Sequence, residues 1–275
     1  PPPASPPVRI ELGRRYDANE LAATLIDRGP VATVEIDGVT VYAITHHEQL
    51  REALKNPRVW RRGAEHWKDL ASGRIPPDHP LVHLLGPVQS MLTSNDDSHT
   101  RQRGVLRKAF TPGRIERLRP VIVDIVEAHL DQMAQAPGHI DLKQALAWPV
   151  PIQVIAALLG IPRGDWPVLP DITQRIFAGD SSVMAEAGAF MQRLLAEKQD
   201  APPGQDLTTD IAHAQGAGVL SDSEAVYNLM LMVIAGFETT AGTFTNAVEL
   251  LLEHPDQLAL LTSGQADWRN AVRTV

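Results

Sequence analysis

The spacing of apolar residues predicts a chain built mainly of helices, with a small β-hairpin region near its start. Strand-like alternation covers Val31–Ile36 and Val39–Ile44, and the Asp37-Gly38 pair between them is a strong hairpin signal. Helical spacing recurs in these segments: 17–28, His47–Lys55, 98–110, 115–134, 150–159, 171–177, 182–198, 221–254, 256–261 and 268–275. Residues 60–87 show no periodicity and are expected to be irregular, and 201–206 is expected to be a linker.

The helix predicted over 221–254 has the clearest boundaries. Ser221 and Glu224 form a capping box at its start, and Pro255 ends it. At 1.5 Å per residue it would be about 50 Å long. Because residues 230–234 are apolar all round, this helix is expected to be buried at the centre of the fold. We predict a single helical domain over 17–275, preceded by a flexible proline-rich arm over 1–16.

One acid and two alcohols interrupt this apolar helix at Glu238, Thr239 and Thr240. A buried carboxylate or hydroxyl must be paired or hydrated, so such a cluster is expected where chemistry requires it. The Thr239 hydroxyl can donate to the carbonyl of Ala235, and Glu238 can take and release protons. Gly236 would let a flat ligand approach the backbone. The alternative is a core helix with a glycine kink and threonines bonded to their own backbone.

A second group lies on the helix predicted over 98–110. His99 and Arg103 are four residues apart, so they share one helix face. A cationic pair on one face needs anions, and the guanidinium fork suits a carboxylate. The alternative is a solvated basic face, since Arg101 and Lys108 are charged as well.

Composition narrows the class of protein. A net charge of −8 and a pI near 5.7 argue against a nucleic-acid partner. No apolar run reaches transmembrane length, and the proline-rich start lacks the features of a signal peptide. The chain has no cysteine, which excludes disulfides and thiolate metal sites within it. Adjacent His46 and His47 point in different directions, so no metal site is predicted. These features favour a cytoplasmic protein.

The two clusters together resemble the cytochrome P450 family. Residues 235–240 are similar to the family's distal-helix pattern, Ala/Gly-Gly-x-Asp/Glu-Thr-Thr/Ser. Residues 99–103 and 108–112 are similar to the helix that holds the haem propionates. The resemblance implies a P450-like fold, a haem cofactor and a bacterial monooxygenase that inserts one oxygen atom of O2 into a small apolar substrate. It also implies a ferredoxin or another electron-transfer protein as partner.

The resemblance also implies roles for individual residues. His99 and Arg103 would bind the propionates, while Glu238 would relay protons and Thr239 would guide cleavage of the O–O bond. Room for dioxygen would come from Ala235 and Gly236, and substrate contacts from Leu231 and Ile234. Residues 60–87 fall where the family has a substrate-recognition loop, and 171–198 where two helices cover the substrate channel.

The sequence departs from the family pattern at two places. Asp96-Asp97-Ser98 replaces the usual Pro-Pro-Glu or Pro-Pro-Asp before His99, so the approach to this helix is expected to differ. The cysteine that binds the haem iron is expected beyond residue 275. The sequence therefore leaves two interpretations open. It is the N-terminal two-thirds of a haem enzyme, or it is a haem-free relative that binds and activates a partner enzyme such as a glycosyltransferase.

Overall fold

A computed structural model of the chain describes residues 6–86, 88–177, 180 and 182–274, and of 83–85, 177 and 274 the backbone only. The fold is mainly helical with one three-stranded sheet, as predicted. The helices are α1 (Ala18–Ile26), α2 (His47–Lys55), α3 (Lys68–Ala71), α4 (Pro80–Leu85), α5 (Asp96–Leu106), α6 (Pro112–Gln135), α7 (Pro149–Leu159), α8 (Val168–Phe177), α9 (Val183–Lys198), α10 (Leu207–Gly216), α11 (Asp222–Glu253), α12 (Pro255–Thr262) and α13 (Trp268–Thr274).

The described residues group into two compact units, one of residues up to 88 with 93–98, the other of 89–92 with residues from 99 onward. This grouping differs from the single domain predicted over 17–275. The first unit carries strands β1 (Val8–Ile10), β2 (Val31–Ile36) and β3 (Val39–Ile44). Strand β2 pairs parallel to β1 and antiparallel to β3. The turn at Asp37 and Gly38 has φ values of 45° and 85°, which suits a two-residue hairpin loop.

Two predictions for the first unit are corrected. Residues 8–10, predicted within a flexible arm, form strand β1, while residues 1–5 of that arm lie outside the described residues. The segment 60–87, predicted to be irregular, contains α3, α4 and a 3₁₀ turn at Ala64–His66, and its last residue lies outside the described part. Leu81 of α4 is buried with Val39 and Ile75 in a small core, so tertiary burial orders this stretch despite its weak local pattern.

The second unit is organised around α11. This helix has the predicted capping box, in which the Glu224 amide donates to Ser221 Oγ and the Ser221 amide donates to Glu224 Oε2. It ends at Glu253, and His254 separates it from Pro255, the first residue of α12. A large buried cluster surrounds its first half, drawn from α5, α7, α8, α9 and α10. The burial predicted for 230–234 is confirmed at Met230, Met232 and Val233.

Among the described helices, α11 is long and apolar enough to cross a membrane by length and composition. Half of its most apolar window is buried inside the protein, as in the core helix of a globular fold. The sequence also predicted no helix over 207–216, where α10 lies, and no π-helical turn at Lys143–Ala147. Asp206, predicted as the end of a linker, caps α10 by accepting from the Thr209 amide.

Candidate functional site

The acid–alcohol cluster lies on an open face of α11. Glu238, Thr239 and Thr240 are exposed, so the expectation that they are buried is wrong for this chain. The opposite face is anchored, because Phe237 is 3% exposed and its ring meets Trp148 edge to face at 5.8 Å. Successive helical residues are about 100° apart, so Phe237 and Thr239 point to opposite sides. The same helix therefore has one side in the core and one side presenting an acid and an alcohol.

The Thr239 hydroxyl donates to the carbonyl oxygen of Ala235 at 2.6 Å, the bond that the sequence predicted. This bond orients the hydroxyl along the helix surface, next to the exposed methyl group of Ala235. Ala235, Glu238 and Thr239 thus lie together on the open face.

Gly236 has a different contact from the one predicted. A Cβ built on this residue would lie 2.9 Å from Cδ1 and 3.1 Å from Cγ1 of Ile155, on α7. The missing side chain therefore permits close packing of α7 on α11. Its suggested role in binding a cofactor stays a prediction.

His99 and Arg103 lie on α5, one half-buried and the other exposed. Among the residues that the structure describes, neither side chain has a hydrogen-bond or ion-pair partner. Arg101, on the same helix, differs from them because it has partners. It donates two hydrogen bonds to the Glu224 carboxylate and one to the Val219 carbonyl. Two donors without anions on one face suit a ligand that carries carboxylates.

The two residues proposed to contact substrate, Leu231 and Ile234, are partly exposed and partly packed inside the protein. Leu231 is half-buried and packs against the main core cluster, so part of its surface is structural. Ile234 is also half-buried. A cavity of about 270 Å³ lies elsewhere, between α6, α7 and residues 205–207, and none of the candidate residues lines it.

Sequence reasoning missed a buried polar network between α5 and α11. Its members are Arg101 and Gln102 of α5 and Glu224 and Asn228 of α11. The signal was present, because Asn228 is a polar residue in an apolar stretch, one turn after Glu224. Arg101 was assigned to a solvated face, but its partner Glu224 has a side chain only 11% exposed.

A mainly helical fold carries an acid–alcohol pair on α11, and α5, which is hydrogen-bonded to α11, carries two donors with no partner among the described residues. These features define a candidate haem protein. No family model matches the chain. The sequence is 32% identical to cytochrome P450 monooxygenase PikC of Streptomyces venezuelae, over 94% of this chain and 62% of that protein. It is 35% identical to cytochrome P450 CYP105Q4 of Mycobacterium marinum, over 86% of this chain and 57% of the relative.

The structure of CYP154C4 from Streptomyces sp. W2061 superposes with a TM-score of 0.86 and 33% identity, over 98% of this chain and 68% of that one. The chain belongs to the cytochrome P450 monooxygenase family, whose cofactor is haem. It spans between 57% and 68% of the length of these relatives. Its 275 residues contain no cysteine to ligate the iron.

Proposed function

We propose that the protein is a haem-dependent monooxygenase that inserts one oxygen atom of O2 into a small apolar organic substrate. The observation that carries this proposal is the open face of α11, where Glu238 and Thr239 stand beside Ala235 while Phe237 holds the opposite face in the core. Membership of the cytochrome P450 family supports it independently. Electrons would come from a ferredoxin or another electron-transfer protein, and the expected compartment is the cytoplasm.

The residues present fit a haem. His99 and Arg103 offer donors to two carboxylates, and they have no anionic partner among the described residues. The small side chain of Ala235 leaves space on the open face of α11. When bound, haem supplies the redox chemistry with dioxygen, while the protein provides orientation and protons.

Each candidate residue then has a definite task. His99 and Arg103 hold the propionates and so orient the porphyrin. The carboxylate of Glu238 relays protons at the open face of α11. The Thr239 hydroxyl, held by the Ala235 carbonyl, positions the last proton. Leu231 and Ile234 present apolar surface to the substrate and exclude water from it.

The test is Thr239→Ala in the native, full-length protein with its redox partner. We expect oxygen and reducing equivalents to be consumed with a much smaller yield of oxidised substrate, because the proton is no longer positioned. Thr245→Ala is the matched control, since its hydroxyl makes the same bond to the Ala241 carbonyl at 2.9 Å on another side of the helix. Full coupling in Thr239→Ala would contradict the role given to this hydroxyl.

A further inference from the structure

The buried polar network joins α5 to the first turns of α11 through side-chain amides. Asn228 is fully buried and Gln102 is 1% exposed. Asn228 Nδ2 donates to Gln102 Oε1 at 2.7 Å, and its Oδ1 accepts from the Met91 amide at 3.0 Å. Gln102 Nε2 donates to Glu224 Oε1 at 3.1 Å. The two amides thus bridge the two helices by direct hydrogen bonds.

An ion pair extends the network. Arg101 holds both oxygens of Glu224, at 2.9 Å and 2.6 Å. The hydrogen bond from Arg101, with help from the Ser221 amide, lowers the pKa of Glu224 below its usual value, against the effect of burial. Glu224 is therefore an anion. It accepts hydrogen bonds from Arg101 and Gln102 of α5 and from the Ser221 amide at the start of α11.

Buried amides specify register more sharply than apolar contacts do. Leu106 of α5 and Leu229 of α11 are as deeply buried as the two amides, but apolar side chains tolerate alternative packing. A slip of one helical turn, about 5.4 Å, would break the bonds that Gln102 makes to Asn228 and to Glu224 across the two helices. A single buried polar residue is known to fix register between helices in this way.

On α11, the network lies on the same side of the helix as part of the candidate site. With about 100° per residue, Ala235 and Thr239 point within about 20° of the direction of Asn228, two and three turns further along α11. On α5, His99 and Arg103 point about 60° and about 100° from Gln102. The bridge therefore joins α5, the helix that carries His99 and Arg103, to the side of α11 that carries Ala235 and Thr239.

We infer that Gln102 and Asn228 are positioning residues that set the register of α5 on α11, and thereby the distance between the haem-propionate donors and the acid–alcohol pair. This inference rests on the proposed function, because it assigns the network a role at the proposed haem site. Neither residue touches the reacting atoms.

The test is the rate of haem release to apomyoglobin from the native, full-length protein. Asn228→Leu removes the amide and keeps the branching of the side chain, and we expect haem to leave about tenfold faster than from the wild type. The matched control is Thr208→Val, which removes another buried hydrogen bond, from Thr208 Oγ1 to the Leu159 carbonyl at 2.6 Å. We expect both variants to lower the melting temperature, and only Asn228→Leu to change haem release by more than about twofold.

A milder variant, Gln102→Met, keeps the bonds of Asn228 to Met91 and to the Glu224 carbonyl, and serves if Asn228→Leu does not fold. It should release haem faster in the same way. Equal haem release in the network variants and in Thr208→Val would overturn the positioning role alone. A wild-type protein that takes up no haem would overturn the proposed function, and this inference with it.

Discussion

Adding one methyl group at Gly236 tests the close approach of α7 to α11. Replacing glycine by alanine inside a helix stabilises it by about 1 kcal/mol. At Gly236 the new Cβ would meet Ile155 Cδ1 at 2.9 Å and Cγ1 at 3.1 Å, and Ile155 is buried. Overpacking of this kind costs about 1–3 kcal/mol. We therefore expect Gly236→Ala to lower the free energy of unfolding by about 0–2 kcal/mol.

Gly242, on the same helix, is the matched control. A Cβ built there has no neighbour within 4 Å, so Gly242→Ala should stabilise by up to about 1 kcal/mol. Urea denaturation followed by circular dichroism measures both variants. Ile155→Val removes Cδ1, the nearer of the two atoms that crowd Gly236, so in that background Gly236→Ala should cost about 1 kcal/mol less. The reasoning fails if Gly236→Ala stabilises as much as Gly242→Ala, or if Ile155→Val gives no relief.

Three further outcomes are expected. Phe237→Ala should destabilise the protein by about 3–5 kcal/mol in denaturant titrations, because it empties a buried site beside Trp148; a loss below about 1 kcal/mol would contradict this packing. Stability should fall in acid as Glu224 protonates, because its pKa is lowered in the folded protein below the ordinary glutamate value of 4.5. The ion pair therefore contributes above that pH, and its contribution is lost as the pH falls through the pKa of the folded state. Arg101→Met should remove that part of the acid sensitivity, and an unchanged stability profile between pH 2 and 5 would contradict the pairing. Arg103→Ala should weaken haem retention in a haem-transfer assay by leaving a propionate unpaired, whereas unchanged retention would contradict the role of Arg103.

Local signals in the sequence predicted local structure well. The Asp37-Gly38 pair and the Ser221–Glu224 capping box depend only on neighbouring residues, and both are observed. Strand β1 was missed because its order comes from pairing with β2, more than twenty residues later. Helix α10 was missed because two polar residues, Thr208 and Thr209, occupy buried positions where an apolar residue would have signalled the inward face.

For the candidate site, the sequence predicted the Thr239 hydrogen bond correctly, but it predicted the exposure and packing of the site residues less well. The bond from Thr239 to the Ala235 carbonyl follows from helix geometry, so the sequence was sufficient. The exposure of Glu238 and the contact of Gly236 with Ile155 depend on what packs against each face of α11, which spacing alone does not reveal. The Gln102–Asn228 bridge joins residues far apart in the chain, and no local pattern pairs them.

We propose that α5 and α11 bind a haem that performs oxygen chemistry. The most direct measurement is the carbon-monoxide difference spectrum of the native, full-length protein after reduction. We predict the absorption band at the wavelength that gives the cytochrome P450 family its name, and a weaker band in preparations of Arg103→Ala that have lost haem. A wild-type protein that takes up no haem, or that shows no such band, would contradict the claim and would favour a haem-free accessory protein.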